Sequence, residues 1–198
     1  SVSNEEVGVV LTEKVGPSIA SDMTTGAIWA VLLSLLAIAL YILLRFRDIS
    51  FSVGALASLA FTSFVIIGFY SLFSGILPFS MEIDQSFIAA ILTIIGYAIN
   101  DTVVVFDRVR EMIGLYPKSD REEVINKSLN TTLTRTIMTS VTTALVLLCI
   151  FILGGETIRS FTFAMLFGVI IGTLSTIYVA TPIAFVMQKR KLAKKAAK

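Results

Sequence analysis

Asp101 is the one acid in a long apolar stretch of the sequence, Ser86–Phe106. A carboxylate near the middle of a membrane helix costs about 2.5–3.5 kcal/mol on insertion scales, so it needs a partner or a function. It lies five residues before Phe106, about 7–8 Å from the end of the stretch, too deep for a short side chain to reach lipid headgroups. Asn100 and Thr102 flank Asp101 and make a polar notch. These residues predict a proton-binding site inside a membrane.

Arg135, at the start of the next long apolar stretch, is a base that could complement this acid. It shares one helical face with Thr139 and Thr142, because the spacings are four and three residues. Consecutive spans are antiparallel, so we expect a direct or water-mediated contact between Asp101 and Arg135, with the threonines holding the waters. Protonation of Asp101 would weaken the pair and let the helices move, because arginine itself stays charged. The alternative is a static buried ion pair or hydrogen-bond network that only fixes helix packing.

A second charged cluster follows at the end of the same stretch, where Asp107 and Arg108 are joined by Arg110 and Glu111. Most such clusters are solvated helix ends with local salt bridges. The functional alternative is that Asp107 gates the exit of protons or fixes the loop that follows.

The composition indicates a membrane protein. Of the 198 residues, 56% are hydrophobic and 15% are charged, whereas soluble domains average about 45–50% and about 25%. The sequence has no histidine and a single cysteine, Cys149, which lies in an apolar run and is expected to be buried and inert. Metal centres, haem, iron–sulfur clusters and nucleophilic cysteine or histidine chemistry are therefore not expected. We predict no enzyme activity, no cofactor and no nucleic-acid binding, and the sequence carries no nucleotide-binding motif.

Five apolar stretches are long enough to cross a hydrocarbon core, which needs about 20 helical residues. They are Gly26–Leu44, Ile49–Phe73, Ser86–Phe106, Thr136–Leu153 and Ser160–Met187. The predicted fold is an all-α, multi-pass membrane protein, with a five-helix transmembrane bundle over residues 26–187. Between the third and fourth spans, residues 107–135 predict an amphipathic cytoplasmic loop. Within it, a capping box formed by Ser119 and Glu122 predicts the start of an amphipathic helix at the membrane surface.

The placement of lysine and arginine predicts the orientation of these spans. With the N-terminus outside, 14 of the 16 basic residues lie on the inner side, leaving only Lys14 and Arg159 outside. Residues 1–25 are therefore expected to be extracytoplasmic. The loop at 107–135 and the basic tail at 188–198 are expected to be cytoplasmic.

Residues 5–12, with the sequence EEVGVVLT, predict a single short β-strand that stops before Gly16 and Pro17. One strand is not stable alone in water, so it should pair with a sheet supplied by chain that precedes Ser1. The sequence is therefore expected to be a fragment of a larger membrane protein.

Two long motifs make the sequence similar to a known family. The segments GYAINDTVVVFDRVRE (Gly96–Glu111) and NTTLTRTIMTSVTT (Asn130–Thr143) strongly resemble the SecF family of the SecDF protein-export complex, which is related to the resistance–nodulation–division transporters. Shorter matches are VGPSIASDM before the first span, YILLRFR at its end and IGTLSTIYVATP in the fifth. SecF proteins have six spans, with a periplasmic domain between the first two. This chain thus resembles their C-terminal five spans, preceded in residues 1–25 by the last strand of that domain.

The resemblance implies a function for the polar residues. In that family the acid and the arginine at the positions of Asp101 and Arg135 are implicated in proton transport, and an acid also stands at the position of Asp107. The implied protein is a SecF-type subunit of the bacterial cytoplasmic membrane, which uses the proton motive force to promote preprotein translocation. The implied partners are a SecD half, fused or separate, the SecYEG translocon, protons, the lipid bilayer and the preprotein through the periplasmic domains. YajC and YidC are further candidate partners.

The residues by themselves are also compatible with two other functions. Half of a proton-driven exporter of small molecules or lipids would share the buried acid, but its binding clefts would lie in large outer insertions, and the outer loops here are short. A translocon scaffold that conducts no ions would need no titrating acid, so a neutral isostere at position 101 would be harmless.

Overall fold

The structure is a computed structural model that describes residues 17–76, 79, 81 and 83–196. The strand predicted at residues 5–12 lies outside these residues. The helices are α1 (Pro17–Phe46), α2 (Ile49–Phe73), α3 (Gln85–Leu115), α4 (Arg121–Leu153), α5 (Glu156–Ser175) and α6 (Thr181–Ala196). A π-helical turn at Thr176–Ala180 joins α5 to α6.

The prediction of five membrane spans is confirmed within the part of the chain that the structure describes. Five segments are long and apolar enough to cross a bilayer, and the last of them runs from α5 through the π-helical turn into α6. They are Ile28–Phe46, Ile49–Phe73, Gln85–Leu115, Arg121–Leu153 and Ile158–Lys194. Both α3 and α4 extend beyond the predicted spans, so residues 116–120 alone connect them and the predicted surface helix is the first part of α4.

Aspartates at three turns begin the helices that follow them, because Asp48, Asp84 and Asp120 are the N-cap residues of α2, α3 and α4. At α4 the Asp120 carboxylate accepts a hydrogen bond from the Glu122 N–H at 3.2 Å. The prediction that Ser119 caps this helix is therefore wrong by one residue. A carboxylate in this position satisfies a free N–H and also interacts favourably with the positive end of the helix dipole.

Helix α3 packs against α1, α2, α4 and α5, so it lies at the centre of the bundle. Its close approach to α5 depends on glycine. A Cβ on Gly168 would collide with the Ile94 side chain, and a Cβ on Gly172 would lie 3.1 Å from the Ala98 Cβ. Small residues at this four-residue spacing let two membrane helices come together. Asp101 follows Ala98 by about one turn, so the tight packing extends to its level.

The fifth span departs from regular α-helix just before Pro182. Proline lacks the N–H that a helix needs, and its ring clashes with the carbonyl group four residues earlier. In the π-helical turn the Thr176 carbonyl accepts the backbone N–H of Thr181 and, at 3.0 Å, the Thr181 hydroxyl. The span therefore stays helical past the proline by using longer-range hydrogen bonds.

Cys149 is exposed on α4, so the prediction that it is buried is wrong. In the 18-residue apolar stretch of α4, only 17% of the residues are buried against other helices, whereas in that of α3 the share is 44%. An apolar run does not distinguish a packed face from a face turned to lipid, because both favour the same side chains.

Candidate functional site

Asp101 is buried on α3, with 6% of its surface exposed. Its Oδ2 atom is shielded from solvent and has no hydrogen-bond partner among the described residues. An unpaired buried polar atom is unfavourable by about 1–3 kcal/mol, and by more when the group is charged. Unsatisfied groups of this kind are rare in native proteins and call for an explanation such as a reactive role or a bound water.

Arg135 lies on the exposed face of α4. Helix α4 packs against α3, the helix that carries Asp101. The two side chains do not form an ion pair, however, and the pairs found in the described part of the chain involve other residues. The arrangement is thus a nearby, separate charge. A movement of either helix would change the strength of this interaction, because it depends on distance and on the surrounding dielectric.

The four predicted supporting residues have different positions. Thr102 is fully buried, and its hydroxyl donates to the Ala98 carbonyl at 3.0 Å. Asn100 is exposed. Thr139 and Thr142 are exposed on α4, and their hydroxyls bond backbone carbonyls of their own helix. The structure therefore places Thr102 in the buried centre with Asp101 and leaves the other three at the surface of the bundle.

The buried polar face of α4 is formed by other residues. Thr132, Thr136 and Ser140 recur at four-residue spacing, and each is at most 8% exposed. The Thr136 Oγ1, like the Asp101 Oδ2, is buried and unpaired as far as the described residues extend. The Ser140 and Thr173 hydroxyls lie 2.6 Å apart and join α4 to α5. The spacing is visible in the sequence, but a helix rich in threonine offers two such stripes, and the spacing does not indicate which one faces inward.

Three hydroxyl residues of the fifth span, Thr173, Ser175 and Thr176, each meet a different helix, and we call them the hydroxyl hub. Besides the contact of Thr173 with α4, the Ser175 hydroxyl lies 2.7 Å from that of Thr62 on α2. The Thr176 hydroxyl lies 2.9 Å from that of Thr102 on α3. At about 100° per residue, the second and third side chains point about 200° and about 300° round from the first. Sequence reasoning missed the hub, although its signal is the run GTLST, which places three hydroxyls around one helical turn.

The charged cluster links helices at the basic end of the bundle, where α1, α3 and α6 end and α2 and α4 begin. Asp107 pairs with Arg45 of α1 at 3.0 Å. Arg108 pairs with Glu111 at 2.8 Å, and its Nε donates to the Thr131 hydroxyl of α4 at 3.2 Å. Because the Arg45 and Asp107 side chains are 45% and 40% exposed, their pair contributes about 0–1 kcal/mol. The cluster has the geometry of solvated links between helix ends.

Comparison with known proteins finds a family match over almost the whole chain. The model of the family described as "Protein export membrane protein SecD/SecF, C-terminal" matches residues 2–190. The chain is 50% identical over 187 residues to the protein translocase subunit SecF of Rhodothermus marinus, which covers 94% of this chain and 60% of that protein. It is 40% identical over 190 residues to the protein translocase subunit SecDF of Thermus thermophilus, which covers 96% of this chain and 25% of that protein.

The fold is also similar to a solved structure. A crystal structure of SecDF in a super-membrane-facing form superimposes with a TM-score of 0.78 at 39% identity, over 92% of this chain and 23% of that one. The chain thus spans about three fifths of the SecF relative and about a quarter of the SecDF relatives.

Proposed function

The chain belongs to the protein export membrane protein SecD/SecF family, and from that premise we propose that it is the SecF-type membrane half of a proton-driven export machine. The machine would use the proton motive force to promote translocation of preproteins across the bacterial cytoplasmic membrane. Asp101 would bind and release the proton, and Arg135 would tune its affinity.

The observation that carries this proposal is the carboxylate oxygen of Asp101, which is buried in a bundle of membrane helices and has no partner in residues 17–76, 79, 81 and 83–196. A static packing role favours a carboxylate that is closed by hydrogen bonds, because a partly satisfied buried polar group destabilises the fold. A group that gains and loses a proton changes its number of donors and acceptors, so partners with fixed roles cannot satisfy both of its states. Asp101 fits the second description.

The coupling of the proton to helix movement follows from two opposing effects. Burial disfavours a charged carboxylate, whereas a nearby guanidinium favours it. If α4 moved relative to α3, the effect of Arg135 on Asp101 would change while the burial stayed, so proton occupancy and helix position would be linked. Protonation from outside and release inside would then drive a cycle, for which one charge crossing 100 mV supplies about 2.3 kcal/mol.

The exposed face of α4 supports a second membrane half as the partner. Arg135 lies on it just before the predicted fourth span, and Thr139 and Thr142 lie on it inside that span. Polar side chains that face lipid are unfavourable, so a partner that covers this face would stabilise it. A SecD half, fused or separate, would cover this face and add complementary polar groups. The SecYEG translocon is the proposed channel. The basic end would face the cytoplasm, because lysine and arginine are retained on that side.

The experiment is export of a Sec-dependent preprotein by the complete complex carrying Asp101→Asn, with Asp84→Asn as the matched control. Both changes convert a carboxylate of the α3 segment into an amide, and asparagine still caps α3 at position 84. We expect Asp101→Asn to abolish the proton-driven component of export at normal membrane abundance. Arg135→Met should also fail, whereas Asp84→Asn should export at the wild-type rate.

The other outcomes separate the rival functions. Export at the wild-type rate by Asp101→Asn would exclude the relay and would favour a scaffold that conducts no ions. Loss of proton uptake into vesicles with normal preprotein export would favour a proton-driven exporter of small molecules or lipids.

A further inference from the structure

A small cavity lies at the basic end of the bundle, between the start of α2, the end of α3, the start of α4 and α6. Its volume is about 220 Å³, which is room for several waters of about 30 Å³ each and hence for a phosphate group. Its lining residues are Asp48, Ile113, Arg121, Gln188, Lys191 and Leu192. The proposed proton relay uses none of them.

Arg121 is the residue of this cavity that packing alone does not explain. It is the first residue of α4, and its Nη1 atom is buried with no hydrogen-bond acceptor within the ranges that the structure describes. A guanidinium nitrogen can only donate, and the group is always charged, so its burial without an acceptor is unfavourable. Arg121 also lines the cavity, so an anion held there would lie beside its positive charge.

Asp48 is already engaged by other donors. Its carboxylate accepts hydrogen bonds from the Ser50 N–H at 3.1 Å and from the Lys191 Nζ at 3.2 Å. Partial burial alone would raise the pKa of Asp48, but these hydrogen bonds and the charge of Lys191 outweigh it and hold the pKa below its usual 3.8. The carboxylate therefore stays ionised and balances Lys191, which leaves Arg121 as the uncompensated charge in the lining. The neighbouring acids Glu122 and Glu123 are exposed and do not line the cavity.

We propose that this cavity binds the phosphate of an anionic phospholipid headgroup, with Arg121 as the main donor. A phosphate diester offers acceptor oxygens and one negative charge, which match the N–H groups and the positive charge of the guanidinium that lines the cavity. Lys191 can donate to the same phosphate while it keeps Asp48, because an ammonium group has three donors. Basic pockets between membrane helices are typical sites for anionic lipid headgroups.

The apolar part of the lining favours a lipid over a free phosphate ion. Ile113 and Leu192 form part of the wall, where they can contact the glycerol carbons of a lipid but offer nothing to inorganic phosphate. Both residues belong to segments long and apolar enough to span a membrane, close to the ends of those segments. Because Ile113 and Leu192 lie seven and five residues beyond Phe106 and Met187, where the third and fifth spans are predicted to end, the cavity lies at the level of the lipid headgroups.

Lipid binding to the purified complete complex tests the site, with native mass spectrometry as the readout and phosphatidylglycerol and phosphatidylcholine as the probes. Arg121→Gln should weaken the tightest phosphatidylglycerol binding about tenfold, which corresponds to the loss of one charge-assisted hydrogen bond. The matched control is Lys118→Gln, which removes one positive charge three residues before Arg121, in the connection between α3 and α4, but lies outside the cavity lining. It should leave the phosphatidylglycerol affinity unchanged, and neither variant should alter phosphatidylcholine binding.

For Asp48→Asn we expect the opposite change in phosphatidylglycerol affinity, an increase, which misfolding would not produce. Asparagine still caps α2, but loss of the carboxylate charge leaves Lys191 uncompensated, so phosphatidylglycerol should bind more tightly. Excess inorganic phosphate should not displace the lipid; displacement would assign the site to free phosphate and overturn the lipid assignment. Equal weakening by Arg121→Gln and Lys118→Gln, or no weakening by either, would overturn the site itself.

Discussion

Asp101 and Asp107 lie six residues apart on α3, and the regions of the bundle around them are built in different ways. Around Asp107, at the basic end, charged groups pair with each other where water still reaches them, as in the 3.0 Å pair with Arg45. Around Asp101, in the buried centre, neutral hydroxyls join the helices, and the carboxylate Oδ2 has no partner in the part of the chain that the structure describes. The same type of side chain is therefore a link between helices in one region and, under the proposed function, the proton-binding group in the other.

The neutral links have a consequence for function. Hydrogen bonds between hydroxyls on membrane helices average about 0.6 kcal/mol and reach about 1.7 kcal/mol. Those of the hydroxyl hub hold α2, α3 and α4 to the fifth span without placing another charge beside Asp101. Under the proposed function, a change in the protonation of Asp101 would leave these links intact and would act chiefly on its interaction with Arg135.

The largest expected difference between the two regions is in activity. Asp101→Asn should abolish proton-driven preprotein export, whereas Asp107→Asn should leave most of it, because the exposed pair with Arg45 contributes about 0–1 kcal/mol. Export rate in membrane vesicles with an imposed proton gradient is the measurement. Equal loss of export in both variants at normal abundance would mean that Asp107 also belongs to the proton path, so the two aspartates would not differ in function.

The next effect concerns the glycine contact that sets the position of α3. Gly168→Ala should lower the free energy of unfolding by about 1–3 kcal/mol, because the added methyl group meets the Ile94 side chain. Gly96→Ala is the control on α3, where a Cβ meets no described atom within 4 Å. It should be neutral or stabilise by up to about 1 kcal/mol through helix propensity. Unfolding in detergent, followed by fluorescence, compares the two, and an equally stable Gly168→Ala would show that α5 can move away without loss.

A smaller effect should follow from removing one link of the hydroxyl hub. Thr176→Val keeps the shape but removes the hydroxyl that meets Thr102, so stability should fall by about 0.6–1.7 kcal/mol. Thr142→Val is the control, because the Thr142 hydroxyl is exposed and bonds its own helix. If the two variants unfold alike, the hub does not hold the centre of the bundle.

The smallest effect is a pH dependence at the basic end. The pKa of Asp48 is lowered in the folded protein because its hydrogen bonds to Ser50 and Lys191 outweigh its partial burial. A lowered folded pKa adds stability that is present above the unfolded value of 3.8 and is lost as the pH falls through the folded value. The unfolding midpoint of the wild type should therefore decline at acid pH slightly more than that of Asp48→Asn. The difference should be less than about 1 kcal/mol, because the pair with Lys191 is partly exposed. Parallel pH profiles for the two proteins would show that ionisation of Asp48 does not contribute to the stability of the fold.

Several features could be predicted from short windows of sequence. The five spans follow from runs of apolar residues, and Asp101 stands out because an acid inside such a run is unfavourable unless it is used. Predictions that depended on which face of a helix points inward were less accurate. Cys149 is exposed, and the inward stripe of α4 runs through Thr136 and Ser140. Apolar composition is the same on a packed face and on a lipid-facing one, so it carries no information about rotation.

Length, hydropathy and the polar residues inside the spans are local properties, which is why the residues alone specify a five-span bundle with a buried acid. Contacts between distant residues depend on how closely the helices approach and how each is rotated. The approach of α3 to α5 is set by Gly168 and Gly172, and the pairing of Asp107 with Arg45 joins residues 62 positions apart. For the same reason the separation of Asp101 from Arg135 is a property of the folded bundle, since a pair on two helices closes only when their facing sides and depths agree.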